Sequence, residues 1–157
     1  LRGEEFVTRK IIINLIKVLK KDIKFFELGN IYAKRDWGYA KEYVEAMWKM
    51  LQRKKPKDYV ISTGKTHSIK EFINIATKYL NMNVKWTGVG LSEKLINKDN
   101  NKTIIQINPK FFRPSEVNIL IGDPSQAKKD LGWKPKVNLS KLIKIMIDEE
   151  IKYYKKL

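Results

Sequence analysis

Apolar positions near the start of the chain recur at helical spacing. Val7, Ile11, Leu15, Val18 and Leu19 form one stripe and predict a helix over residues 6–20. Lys20, Lys21 and Lys24 gather at its C-terminal end, where positive charge is favoured. Phe25, Phe26 and Leu28 read as a strand, broken by Gly29-Asn30. Beyond the break, Ala40, Tyr43, Val44, Met47 and Leu51 share one face of a helix from about Trp37 to Gln52. Arg53-Lys54-Lys55-Pro56 closes it. Asp58–Gly64 is rich in β-formers and predicts a short strand. Ser68-Ile69-Lys70-Glu71 has the spacing of a capping box, opening a helix that turns Ile69, Phe72, Ile73, Ala76 and Leu80 inward. Val84–Thr87 and Thr103–Ile107 read as strands, and the run Glu93–Lys102 as a polar loop. Gly122-Asp123-Pro124-Ser125 predicts a helix start with Asp as cap and Pro at the first position, ending at Leu131 before Gly132-Trp133-Lys134-Pro135. Ser140 opens a last helix carrying Leu142, Ile143, Met146, Ile147, Ile151 and Tyr154. Strands alternate with helices, so the class is α/β.

At 157 residues and 43% apolar, the chain suits one globular domain with a core of its own. It has no long uncharged apolar run, so no membrane span is expected. Leu1-Arg2-Gly3-Glu4-Glu5 is not a secretory leader, and the missing initiator Met points to a fragment or a processed chain. Cysteine is absent, which excludes disulfides and thiolate metal sites and fits a reducing, cytoplasmic setting. The single histidine, His67, leaves little scope for a histidine-based metal centre and reads as a loop residue ahead of the Ser68 cap. Thirty-three basic against seventeen acidic residues give a formal charge of +16. That charge permits capture of an anion or of nucleic acid. It is spread over helix ends and polar faces rather than gathered in one patch, so a solvated surface is favoured over nucleic-acid binding.

Two stretches carry candidate chemistry. Arg35 lies between the Phe25–Leu28 strand and the Trp37 helix, flanked by Asp36 and Trp37. A guanidinium held between two rigid elements offers two parallel donors to phosphate oxygens, while a local ion pair with Asp36 is the plainer reading. In Phe111-Phe112-Arg113-Pro114-Ser115-Glu116, a guanidinium and a carboxylate three residues on could hold a phosphate and a ribose diol, or simply each other. Gly88-Val89-Gly90 lacks the third glycine and the helix of a dinucleotide fingerprint.

Six segments then converge on one family. Arg-Gly-Glu-Glu-Phe-Val-Thr-Arg-Lys-Ile (2–11), Gly-Asn-Ile-Tyr-Ala-Lys-Arg-Asp-Trp-Gly (29–38), Lys-Glu-Tyr-Val-Glu-Ala-Met-Trp (41–48), Tyr-Val-Ile-Ser-Thr-Gly-Lys-Thr-His-Ser (59–68), Phe-Arg-Pro-Ser-Glu-Val (112–117) and Leu-Gly-Trp-Lys-Pro (131–135) fall in order along the chain. Together they resemble the C-terminal half of the GDP-mannose 4,6-dehydratases, a family of extended short-chain dehydrogenase/reductases. The resemblance implies the substrate-binding part of an extended Rossmann-type fold, incomplete without an N-terminal cofactor half. It also implies that residues around 37–64 pack on that absent half. The family's catalytic Tyr-x-x-x-Lys is missing, since none of the seven tyrosines has a lysine four residues later. No catalytic residue is therefore expected here, and the fragment alone should not turn over. The intact enzyme is expected to use NADP, taking hydride from C4 of the mannose and returning it at C6. The product is GDP-4-keto-6-deoxymannose, a precursor of GDP-fucose. The resemblance further implies a homo-oligomer, dimer or tetramer, with GDP-mannose as partner and neither nucleic acid nor membrane.

Position by position, the resemblance makes Arg35 and Arg113 clamps on the GDP diphosphate and Glu116 the acceptor for ribose hydroxyls. Val7 and Lys10 line the guanine end, and Asn30 helps close that pocket. Arg2 matches a loop arginine that reaches cofactor phosphate, although Leu1 stands where the family tends to have a second arginine. Two other classes stay open: a basic nucleic-acid-binding module, and a non-catalytic assembly piece with exposed apolar surface.

Overall fold

A computed structural model describes residues 3, 5–112 and 117–154. Helix α1 (Val7–Leu19) buries Ile11, Ile12, Leu15 and Ile16 and ends as Lys21 turns into a left-handed conformation. Strand β1 (Phe26–Leu28) follows, then the two-residue strand β2 (Lys34–Arg35) and helix α2 (Ala40–Leu51). A second two-residue strand, β3 (His67–Ser68), leads directly into α3 (Ile69–Tyr79). A hairpin of β4 (Val84–Thr87) and β5 (Lys94–Asn97) precedes β6 (Thr103–Ile107). Strand β7 (Ile119–Leu120) and helices α4 (Ser125–Leu131) and α5 (Leu139–Tyr154) complete the order.

The larger sheet runs β1-β6-β5-β4, with β1 parallel to β6 and the other pairs antiparallel. Helices α1, α3 and α5 meet it in one core built on Ile11, Leu15, Phe72, Ile73, Leu95, Ile105 and Ile143. The buried Glu150 of α5 receives the Arg9 guanidinium of α1 through Nε (3.1 Å) and Nη2 (3.2 Å). The smaller sheet runs β3-β2-β7, antiparallel on one side of β2 and parallel on the other. Beside it a second small core forms around Ala46, Ala127 and the fully buried Trp133, whose ring meets Tyr43 edge-on at 5.9 Å.

Several expectations change. Residues 58–64 join no ladder among the described residues, although Gly122 lies close beside Val60 and Ser62. The run read as a polar loop holds β5 in the interior of the larger sheet, with Leu95 fully buried. Its apolar content is two residues among charges and asparagines, too little to signal a strand alone. The two-residue strands of the small sheet were equally invisible to periodicity. Helix α2 starts at Ala40, three residues later than expected, and Trp37 instead packs edge-on against Phe72 at 5.4 Å. Ser68 Oγ accepts from Glu71 N (3.0 Å), but the Glu71 carboxylate goes to His67 Nδ1 (2.9 Å) rather than completing the box. The last helix is capped by Asn138, which accepts from Lys141 N, and not by Ser140. Pro124 precedes α4, and Asp123 caps its first residue by accepting from Ser125 N (2.9 Å).

Candidate functional site

Strand β1 ends against the short turn Pro109–Phe111, where the Asn108 amide donates to the Leu28 carbonyl (2.8 Å). Gly29 permits this approach: a Cβ there would lie 2.3 Å from the Phe111 carbonyl oxygen, so another residue would push that turn away. Asn30 then closes a tight turn, its Oδ1 accepting from Tyr32 N (2.9 Å). The chain continues into β2, the centre of the small sheet, which presents Arg35. Arg35 faces His67 across the β2–β3 register and Leu120 across the β2–β7 register.

A cleft of about 550 Å³ opens between these pieces and the start of α1. It is lined by Val7, Lys10, Asn30 and Arg35, with Phe6, Lys110, Phe111 and Phe112 on its walls. Four of the sequence-derived substrate residues thus share one concavity, although they come from three separate elements. Arg35 Nη1 donates to the Val117 carbonyl (2.7 Å) and to its neighbour's carbonyl at Lys34 (2.8 Å). Asp36, weighed as its local partner, is engaged by a different loop. It accepts from Thr63 N (2.9 Å), Thr63 Oγ1 (2.5 Å) and Gly64 N (2.9 Å). Lys10 Nζ sits 4.9 Å from the Phe111 ring centroid, a cation–π contact. Glu27 accepts from Asn108 Nδ2 and Gln106 Nε2 (both 2.7 Å). Those bonds, with the charges of Lys110 and Lys10, hold its carboxyl below the usual carboxylate range.

The arrangement offers three cations, Lys10, Arg35 and Lys110, among aromatic and aliphatic walls. That suits an anion carrying a flat ring. Arg2, Arg113 and Glu116 lie outside the described residues. The walls Phe6, Phe111 and Phe112 and the cation Lys110 were not singled out from sequence. The adjacent exposed aromatics at 111–112 were the available signal.

A second cleft, about 350 Å³, lies between Trp37, Thr63, His67 and the start of α5. Two of its polar groups are bonded within the chain, His67 to Glu71 and Thr63 to Asp36. His67 is accordingly a ladder residue of β3 rather than a loop residue. Among the described residues there is no group of three side chains able to hold a metal, and no helix long and apolar enough to cross a membrane.

The profile of one family, GDP-mannose 4,6 dehydratase, matches residues 1–146. The chain belongs to the GDP-mannose 4,6-dehydratase family. It is 47% identical over 155 residues to the GDP-mannose 4,6 dehydratase of Drosophila melanogaster, covering 99% of this chain and 39% of that protein. With the Homo sapiens relative of the same name the identity is 41% over 150 residues, covering 96% and 40%. The chain therefore spans about two fifths of the length of these relatives, and it matches their C-terminal portion. Among solved structures, a dTDP-glucose 4,6-dehydratase of Bacillus anthracis, in complex with NAD, superposes with a TM-score of 0.70 at 12% identity. That match covers 96% of this chain and 40% of the other, so the fold is that of part of an extended Rossmann-type reductase.

Proposed function

We propose that residues 1–157 form the C-terminal nucleotide-sugar-binding region of a GDP-mannose 4,6-dehydratase, the enzyme that forms GDP-4-keto-6-deoxymannose. The observation that carries this reading is the gathering of Val7, Lys10, Asn30 and Arg35 around one cleft in a chain of this family. In this reading Arg35 holds the diphosphate, and Val7 and Lys10 border the guanine. Arg113 joins Arg35 on the diphosphate and Glu116 takes the ribose hydroxyls. Phe112 is on the cleft wall and the Val117 carbonyl accepts from Arg35 Nη1.

Binding energy gathered at the nucleotide, remote from the reacting carbons, orients the sugar for chemistry performed elsewhere in the enzyme. The nicotinamide cofactor, read as NADP, belongs to that other part. The described residues do not fit a dinucleotide: Gly88 and Gly90 sit in the β4–β5 hairpin and open a three-residue turn, not a long helix after a parallel strand. Arg2 is read as a contact to cofactor phosphate within a cytoplasmic homo-oligomer. The segments at 37–64 are read as packing on the cofactor half, which accounts for a stretch with β-forming sequence and no ladder partner here.

Calorimetric titration with GDP and GDP-mannose tests the reading. Arg35→Ala should weaken GDP by about 1.5–3 kcal/mol, a loss of roughly ten- to a hundredfold, as for a hydrogen bond to a charged group. A folded parent that binds no GDP at millimolar concentration would refute a preformed site.

A further inference from the structure

A buried ion pair outside the cleft lining grips the segment that carries Asn30 and Arg35 into it. Glu93, 2% exposed, stands between the three-residue turn Gly90–Ser92 and β5. Its carboxylate accepts from Lys70 Nζ (2.5 Å) and from Tyr32 OH (2.7 Å). Lys70 Nζ also donates to Tyr32 OH (3.3 Å) and lies over two rings, 5.2 Å from the Tyr32 centroid and 5.0 Å from that of Trp86. The Trp86 indole is fixed in turn by its Nε1 bond to Asn74 Oδ1 (2.8 Å).

The cluster closes on one short stretch of backbone. Tyr32 N donates to Asn30 Oδ1 (2.9 Å), the bond that forms the turn beside the cleft. Lys70 N, in the first turn of α3, donates to the Ile31 carbonyl (2.8 Å), and Ile69 N to the Ala33 carbonyl (3.3 Å). Lys70 therefore holds this turn twice, by its backbone and by its side chain. Asn30 lines the cleft at one end of the stretch and Arg35 at the other, while Tyr32 between them is turned to the buried acid. A buried ion pair is a weak device for stability, because the cost of desolvating two charges offsets most of their attraction. Its distinctive property is geometric: the acid is satisfied only when hydroxyl and ammonium arrive together. We propose that Tyr32, Lys70 and Glu93 are positioning residues, holding the 30–33 turn in the conformation that sets Asn30 and Arg35 for a nucleoside diphosphate. This rests on the nucleotide reading of the cleft and goes beyond it by placing control of the site in a cluster outside its lining.

The plainer role for the cluster is stability alone, and melting curves with GDP titrations of the same variants separate the two. Replacing the pair by apolar side chains, Lys70→Met with Glu93→Leu, removes both charges at once, a change that is neutral or stabilising where the new side chains pack. The double variant should melt at or above the parent temperature yet bind GDP about tenfold more weakly, as when about one molecule in ten holds the competent turn. Tyr32→Phe removes a single oxygen from an exposed ring and should weaken GDP about threefold by the same population argument. Should the double variant fail to fold, Tyr32→Phe decides alone. Lys70→Arg keeps a cation for Glu93 and should bind within about twofold of the parent; a loss equal to the double variant's overturns the proposal. A purely stabilising cluster makes affinity follow melting temperature, so that variants melting like the parent bind GDP like the parent. That result overturns the proposal and leaves the nucleotide site standing, as does parent affinity in Tyr32→Phe. A parent chain that binds no GDP removes the nucleotide reading and this proposal together.

Discussion

The layer built from α1, α3, α5 and the four-stranded sheet buries most of its large apolar side chains, whereas the layer built from α2, α4, residues 57–62 and β7 leaves many in solvent. Phe72, Ile73, Leu95 and Ile143 are wholly buried in the first. In the second, Val44, Met47, Trp48 and Leu51 of α2 are exposed, Leu51 to 81%, as are Val60, Ile119, Leu120 and Ile121. Only Ala46, with half-buried Tyr43, turns α2 inward toward Ala127 and Trp133. The second layer is held instead by polar bonds: Asp36 clasps Thr63 and Gly64, Glu42 accepts from the amides of Lys136 and Val137, and Trp133 Nε1 donates to the Glu42 carbonyl (2.8 Å). The first layer meets its own burial requirement and the second does not. Exposed apolar side chains gathered on one helix face are what the packing on a cofactor half, proposed above, would cover.

The contrast can be broken most severely in the first layer. Phe72→Ala should cost about 3–5 kcal/mol of stability in a denaturant titration, since a fully buried ring is replaced by a cavity. Next comes Lys70→Ala. Lys70 Nζ bonds the Glu93 carboxylate (2.5 Å), which is buried and also accepts from Tyr32 OH (2.7 Å). Removing the cation strands that acid and should cost about 3 kcal/mol.

A smaller, pH-dependent effect belongs to the second layer. Asp130 of α4 accepts from Lys57 Nζ (2.7 Å) and Tyr59 OH (3.2 Å), and the lysine bond leads in lowering its pKa from 3.8 to about 2. A depressed carboxylate pKa stabilises the folded state above the unfolded value. That contribution is complete above pH 3.8 and disappears as pH falls toward about 2. Asp130→Asn should therefore lower the melting temperature near neutrality and converge on the parent at the acid end. Smallest of all, Leu51→Ser and Val44→Ser should change stability by less than about 0.5 kcal/mol, because neither is buried here. The same changes should reduce self-association measured by light scattering. A parent chain that is already monomeric would count against a sticky face.

Sequence periodicity recovered what repeats over several turns. Helices α1, α3 and α5 lie where their apolar stripes placed them, and the Phe26–Leu28 and Thr103–Ile107 strands are real. The stripe on α2 was equally legible, although Val44, Met47 and Leu51 on it are exposed among the described residues. Strand β5 and the two-residue strands were hidden because pairing across the chain, not local pattern, creates them. In the site, Arg35 could be named from its position between a strand and a helix. Its hydrogen bond to Val117, 82 residues away, could not.

The central claim is that a nucleoside diphosphate sits in the cleft between α1, the Gly29–Asn30 turn and residues 110–112. Backbone amide chemical-shift mapping during a GDP titration addresses it directly. The account predicts shifts concentrated at residues 5–10, 29–35 and 110–112, absent for Arg35→Ala at the same concentration. Shifts centred instead on residues 63–67 and 136–140, the walls of the smaller cleft, would contradict it.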